Sequence, residues 1–328
     1  MTDVPGNKLG TILPSGACRL GFGCSGLISA ANRTDSLRLI ETAIDCGISY
    51  FDTARMYGFG EAEGVLGETL AGRRDRFIVV SKAGILPANR SIPLRVLNRG
   101  INLLHRKIPQ LASVVPAPSA IRTRFGAFDV ADVRKSLERS LRQLRTDYLD
   151  SFLLHECTWA DIMNSELQLF LQNLTKEGKI RTFGLATGID ETLQIVEALP
   201  HLNPILQIPN SIWTMNIGRL PLMARGRTVT HSTLTSRFHA LAFELSSNES
   251  LAGKWRSAVQ IDPHNKVALA KLLLAHALHS NRDGVVLFFS SNRQNIRASA
   301  QVATELPMYS ARIAALNAFI RSNDSELH

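Results

Sequence analysis

Cysteine is scarce in this chain of 328 residues. Cys18, Cys24, Cys46 and Cys157 are too few and too scattered for a disulfide scaffold, and their spacing matches no zinc-ligand pattern. They read as reduced thiols, mostly core, and give no metal centre. Long apolar runs are missing too. No stretch reaches the roughly 20 residues that cross a bilayer, and the amino terminus has no signal-peptide apolar segment, so the expected location is the cytoplasm. There is also no repeat, linker or low-complexity block. With 45% hydrophobic residues the chain can bury a large core, and the expectation is one domain over residues 1–328.

Acid is absent between Gly84 and Phe128, where Arg90, Arg95, Arg99, Arg106, Lys107, Arg122 and Arg124 supply most of the net charge of +9. A compact basic stretch with neither a nucleic-acid motif nor interleaved aromatics points away from DNA and RNA. The lack of aromatic anchors argues against a membrane surface as well. The chain also lacks a dinucleotide fingerprint of the Rossmann type. Its GFGCSG run, Gly21 to Gly26, does not lead straight into a helix with an acidic residue at the required distance.

What is present is a rhythm of strands and helices. Ile48, Tyr50 and Phe51 form a strand ending at Asp52, the Gly58-Phe59-Gly60 turn opens a helical run, and Phe77 to Val80 is a second strand leading to Lys82. A first strand lies at Arg19 to Gly23, and Thr34 or Asp35 caps the helix that Gly47 terminates. Further strands are expected at Tyr148 to Leu154, Ile180 to Ala186, Pro204 to Ile208, Arg227 to His231 and Gly284 to Phe289, with amphipathic helices between them. Eight strands alternating with helices predict a (β/α)8 TIM barrel. Residues 8–17 would form a hairpin capping its bottom, and long loops would follow strand three, at Gly84 to Phe128, and strand seven, at Ser232 to His264. Within the first loop Pro93 can start a helix with an apolar stripe of Leu94, Leu97, Ile101, Leu104 and Ile108. Such a helix would serve as a lid over the catalytic face.

The barrel register brings Asp52, Lys82 and His155 to neighbouring strand ends, with Tyr57 on the loop above them. A tyrosine titrates near 10. An adjacent ammonium would lower that value by favouring phenolate, a carboxylate would keep the lysine charged, and a histidine could hold or relay the substrate proton.

These residues carry a family resemblance. FDTARMYGFGEAEGVLGETL, the FIVVSK strand ending at Lys82, SLERSLRQLRTDYLDSFLLHE, GKIRTFGLATG and VVLFFSSNRQNIRAS resemble, in order, motifs of the aldo-keto reductases. The resemblance implies a barrel that reduces carbonyls with NAD(P)H and no metal. Tyr57 would be the general acid, Lys82 and Asp52 its tuning pair, and His155 the group that orients the carbonyl. It also implies a nicotinamide site near Gly23, Cys24, Asp52, Thr187, Gln207 and His231. The adenosine phosphate would meet Ser290, Ser291, Arg293, Asn295 and Arg297, where hydroxyls and positive charge favour NADPH over NADH. Where the family has a serine-asparagine pair, this chain has Ala186 and Thr187. The partner is then a small carbonyl compound or a sugar. Two alternatives stand beside reduction: an aldose dehydrogenase working in the oxidative direction, and a cofactor-binding regulatory subunit like the β subunits of potassium channels.

Overall fold

The computed structural model describes residues 12–14, 16–27, 32–87, 123–234 and 236–323. Strand β1 (Leu20–Gly23) leads to helix α1 (Arg33–Asp45) and β2 (Tyr50–Asp52). Then come α2 (Ala62–Thr69), β3 (Ile78–Leu86), β4 (Arg124–Ala127), α3 (Val130–Leu144) and β5 (Leu149–His155). The short α4 (Trp159–Ile162), α5 (Ser165–Lys176), β6 (Ile180–Ala186), α6 (Ile189–Ala198), β7 (Ile205–Pro209), α7 (Leu222–Arg225) and β8 (Thr228–His231) follow. The chain continues through α8 (Ser236–Ser247), α9 (Glu249–Val259), α10 (Lys266–Ser280), β9 (Val285–Phe288), α11 (Arg293–Thr304) and α12 (Ser310–Ser322).

Eight of the strands are parallel and run β2-β1-β9-β8-β7-β6-β5-β3, and pairing of β2 with β3 closes the ring. This is the expected TIM barrel. It closes because each strand offers apolar side chains to both faces: Phe22, Phe51, Val79 and Phe152 join the layer beneath the helices, while Tyr50, Val80, Leu153, Val229 and Val285 fill the barrel interior. Ile12 and Leu13, from the segment expected to cap the barrel, pack against that interior cluster. Residues 8–11 and 15 of the expected hairpin lie outside the described residues.

The helices obey the same economy. In α3 the buried residues Val133, Ser136, Leu137, Ser140 and Leu144 recur at helical spacing, and each large apolar one contributes about 1.5–3 kcal/mol by leaving water. Helix α1 starts from Asn32, whose side chain accepts the Asp35 N–H at 2.9 Å, rather than from Thr34 or Asp35. Gly47, at φ +79°, ends it as expected.

Two connections differ from expectation. Strand β3 does not stop at Lys82; it runs on to Leu86 because β4 pairs with its extension antiparallel, Gly84 opposite Ala127. The connection after β8 is largely helical, since Leu241, Ala242 and Leu245 of α8 and Leu251, Ala252, Trp255 and Val259 of α9 are buried. The predicted lid helix and its apolar stripe fall within 88–122, outside the described residues. No helix among the described residues is long and apolar enough to cross a membrane.

Candidate active site

The carboxyl ends of the barrel strands carry the polar residues. Asp52 is the last residue of β2 and His155 the last of β5, whereas Lys82 lies within β3, one residue before the end of its pairing with β5. Strand alternation turns Lys82 to the inside, on the same face as Val80, and turns Ser81 to the helices. Tyr57 is held by an irregular turn in which its N–H donates to Ala54 O at 3.0 Å. Gly58, Phe59 and Gly60 then take positive φ values in succession.

The Lys82 ammonium is the centre of the group. It donates to Asp52 Oδ2 at 2.7 Å, to Thr53 O at 3.0 Å and to the Tyr57 hydroxyl at 3.1 Å. With side chains 1% and 3% exposed, Lys82 and Asp52 form a buried ion pair. The Tyr57 and His155 rings meet edge to face with centroids 6.1 Å apart.

Burial dominates the electrostatics. It raises the Asp52 pKa against the opposing pull of Lys82. In Lys82 burial works downward, but the charges of Asp52 and Tyr57 and the hydrogen bonds to them outweigh it, so the ammonium is held charged. Tyr57 departs from the sequence expectation: burial raises its pKa more than Lys82 lowers it, and the phenol stays protonated. His155 is pushed down to about 3 by burial, Lys82 and His231. His231 is pushed down to about 4 by burial and Lys82. Both imidazoles are therefore neutral at pH 7 and can donate or accept one hydrogen bond.

Gly23, Asp52, Tyr57, Lys82, His155, Thr187, Gln207 and His231 line one cavity of about 510 Å³. Cys24 does not join them. Its backbone N–H donates to Asp52 O at 2.8 Å, but its thiol packs among the core side chains, where burial raises its pKa. The Thr187 hydroxyl donates to Cys157 O at 3.2 Å, and His231 Nδ1 lies 2.7 Å from Ser232 Oγ. Asp52 Oδ1 and Gln207 Oε1 are buried without a hydrogen-bond partner among the described residues. Unused buried acceptors in a polar cavity suit a ligand that brings N–H groups, such as a carboxamide.

A second cavity, of about 600 Å³, opens at the amino terminus of α11. Ser291, Arg293 and Arg297 line it as expected, together with Arg38 and Asp35 of α1, neither of which was expected at this site. Ser290 and Asn295 do not line it. Ser290 Oγ instead accepts the Asn292 N–H at 3.1 Å, and Asn295 lies exposed on α11. Three guanidinium groups against one carboxylate, beside helix N–H groups, make this cavity fit for an anion.

The order of elements and the barrel agree with the comparisons to known proteins. The model of the Aldo/keto reductase family matches residues 19–208. The chain is 26% identical over 197 residues to an aldo-keto reductase of Bacillus subtilis, covering 58% of this chain and 49% of that protein. It is 29% identical over 172 residues to a methylglyoxal reductase of Escherichia coli, covering 52% and 45%. It thus spans about half the length of the curated relatives it matches. Its backbone is similar to that of an aldo-keto reductase of Klebsiella pneumoniae crystallised with NADPH, with a TM-score of 0.57 over 88% of this chain and 86% of that one, at 20% identity. At that identity the likeness is one of fold.

Proposed function

This chain belongs to the aldo/keto reductase family, and on that premise we propose that it is an NADPH-dependent oxidoreductase reducing an aldehyde or ketone to an alcohol, with Tyr57 as general acid. The observation that carries the reading is the arrangement of Lys82, with Asp52 Oδ2 at 2.7 Å on one side and the Tyr57 hydroxyl at 3.1 Å on the other, at the wall of a cavity. The nicotinamide, when bound, supplies the hydride. Tyr57 then gives its proton to the oxygen that becomes the alcohol. Its phenolate is stabilised by the ammonium that already touches it, which favours the transfer at the moment charge develops. Asp52 keeps that ammonium charged and aimed. Neutral His155 orients the carbonyl by donating a hydrogen bond to its oxygen.

Support for the cofactor is local. Gln207 Oε1 and Asp52 Oδ1 leave acceptor capacity where a nicotinamide carboxamide or ribose would lie, and Arg38, Arg293 and Arg297 surround the site for the phosphate that distinguishes NADPH from NADH. The Thr187 hydroxyl donates to the backbone, so it offers the carboxamide only an acceptor. A regulatory, noncatalytic role finds no support in a lysine, aspartate and tyrosine so closely assembled. The reading is tested by a panel of aldehydes, ketones and sugars followed at the nicotinamide absorbance with each cofactor. The expected result is carbonyl-dependent oxidation that is faster with NADPH than with NADH at equal low concentration. Absence of oxidation with every carbonyl and either cofactor contradicts it.

A further inference from the structure

Behind the cavity wall lies a second carboxylate that touches neither cavity. Glu63, in the first turn of α2, is fully buried. Its Oε2 accepts from Arg55 Nη1 at 3.3 Å, and its Oε1 accepts from Ser81 Oγ at 2.6 Å. Ser81 Oγ also lies 3.3 Å from Ser140 Oγ of α3. Arg55 is two residues before Tyr57, and Ser81 is the residue before Lys82. The carboxylate therefore bridges the turn that carries the phenol and the strand that carries the ammonium, from the side opposite the cavity.

We propose that Glu63 is a positioning residue, which fixes the Tyr57 turn against β3 and so sets the contact between the Tyr57 hydroxyl and Lys82. The inference rests on the reading of Tyr57 as the acid. The turn needs such a tether. Gly58 and Gly60 take their positive φ values freely, but Phe59 between them is a non-glycine residue at φ 59°, a conformation that is intrinsically unfavourable and persists only where surrounding contacts hold it. On the cavity side Lys82 holds the start of the turn through Thr53 O; on the far side Glu63 holds Arg55. A buried ion pair serving stability alone is replaceable by apolar side chains with little loss of stability. A pair that also sets the geometry of a proton donor is not, because small displacements of a reacting group cost rate steeply.

The test compares native protein, the double variant Arg55→Met/Glu63→Leu, which leaves no unpaired buried charge, and Ser81→Ala, which retains the ion pair. Two readouts are used besides Tm: kcat against KM for a carbonyl substrate with NADPH, and the titration of Tyr57 followed by NMR of protein labelled at the tyrosine ring carbon that bears oxygen. The double variant is expected to fold, to lose about tenfold or more in kcat with the KM for NADPH within about twofold, and to titrate Tyr57 at higher pH than native protein as the Lys82 contact loosens. Ser81→Ala is expected to move both readouts the same way by less. It decides the matter should the double variant fail to fold. Native kcat and native titration in either variant, once folded, overturn the proposal. A native protein that reduces no carbonyl defeats the reading of Tyr57 as the acid, and the positioning claim is then judged on the titration alone.

Discussion

His155 and His231 face the cavity uncharged because they are buried beside the Lys82 ammonium, and that has a measurable consequence for stability. An unfolded histidine binds a proton as the pH falls through about 6.5, whereas these two do so in the folded protein only near 3 and 4. Their contribution is therefore fully present above about pH 6.5. It is lost as the pH drops from there, by up to about 1.4 kcal/mol per pH unit for each histidine. Urea unfolding between pH 7.5 and 4.5 checks this: the decline on acidification should be shallower in His155→Gln/His231→Gln than in native protein, and parallel declines would contradict it. At this scale the candidate site was largely legible. Asp52, Tyr57, Lys82 and His155 follow or flank strand formers, so the barrel rhythm alone brings them to one end. The direction of the Tyr57 shift was not legible, because it depends on how completely the cavity walls desolvate the phenol. Cys24 was misplaced for a simpler reason. Gly21 faces the barrel interior, where an added Cβ would strike Leu287, Tyr50 and Val285, and with a period of two Gly23 follows it while the next residue turns to the helices.

Helix α2 lies so close to the end of α3 that Gly67 has no room for a side chain. A Cβ there would stand 2.4 Å from Gln143 O and 2.6 Å from Leu144 Cα, both backbone atoms. Gly67→Ala should therefore destabilise the protein by about 1–3 kcal/mol as the two helices separate, although alanine is the better helix former. Equilibrium denaturation measures this, and a stabilised variant would show that the helices can move apart freely. Element boundaries were legible where periodicity met a glycine in a left-handed conformation, as at Gly47. The end of β3 was not, because Ala83 to Leu86 stay extended through a partner, β4, about 40 residues further on. The apolar spacing of α8 and α9 was present in the sequence, but the barrel rhythm made their segment read as one long loop.

Closure of the barrel brings its first and last strands together, since β1 pairs with β9 as well as with β2. Helices α1 and α11 thereby become neighbours, and Arg38 meets Arg293 and Arg297 at one cavity. No local pattern marks Arg38, which on its own helix is an ordinary exposed cation beside Asp35. Its place at the second cavity is a property of the whole fold, as is the convergence of all eight barrel strands on the first. The reaction proposed for the first cavity turns on one proton and its donor. The most direct test is a single turnover of bound NADPH by a reactive aldehyde in rapid mixing, native protein against Tyr57→Phe, with NADPH binding followed by fluorescence in both. The prediction is a fall of about 10² to 10⁴ in the rate of NADPH oxidation, the usual cost of losing a general acid, with affinity for NADPH changed by no more than a few-fold. A Tyr57→Phe protein that oxidises NADPH at the native rate would contradict the assignment.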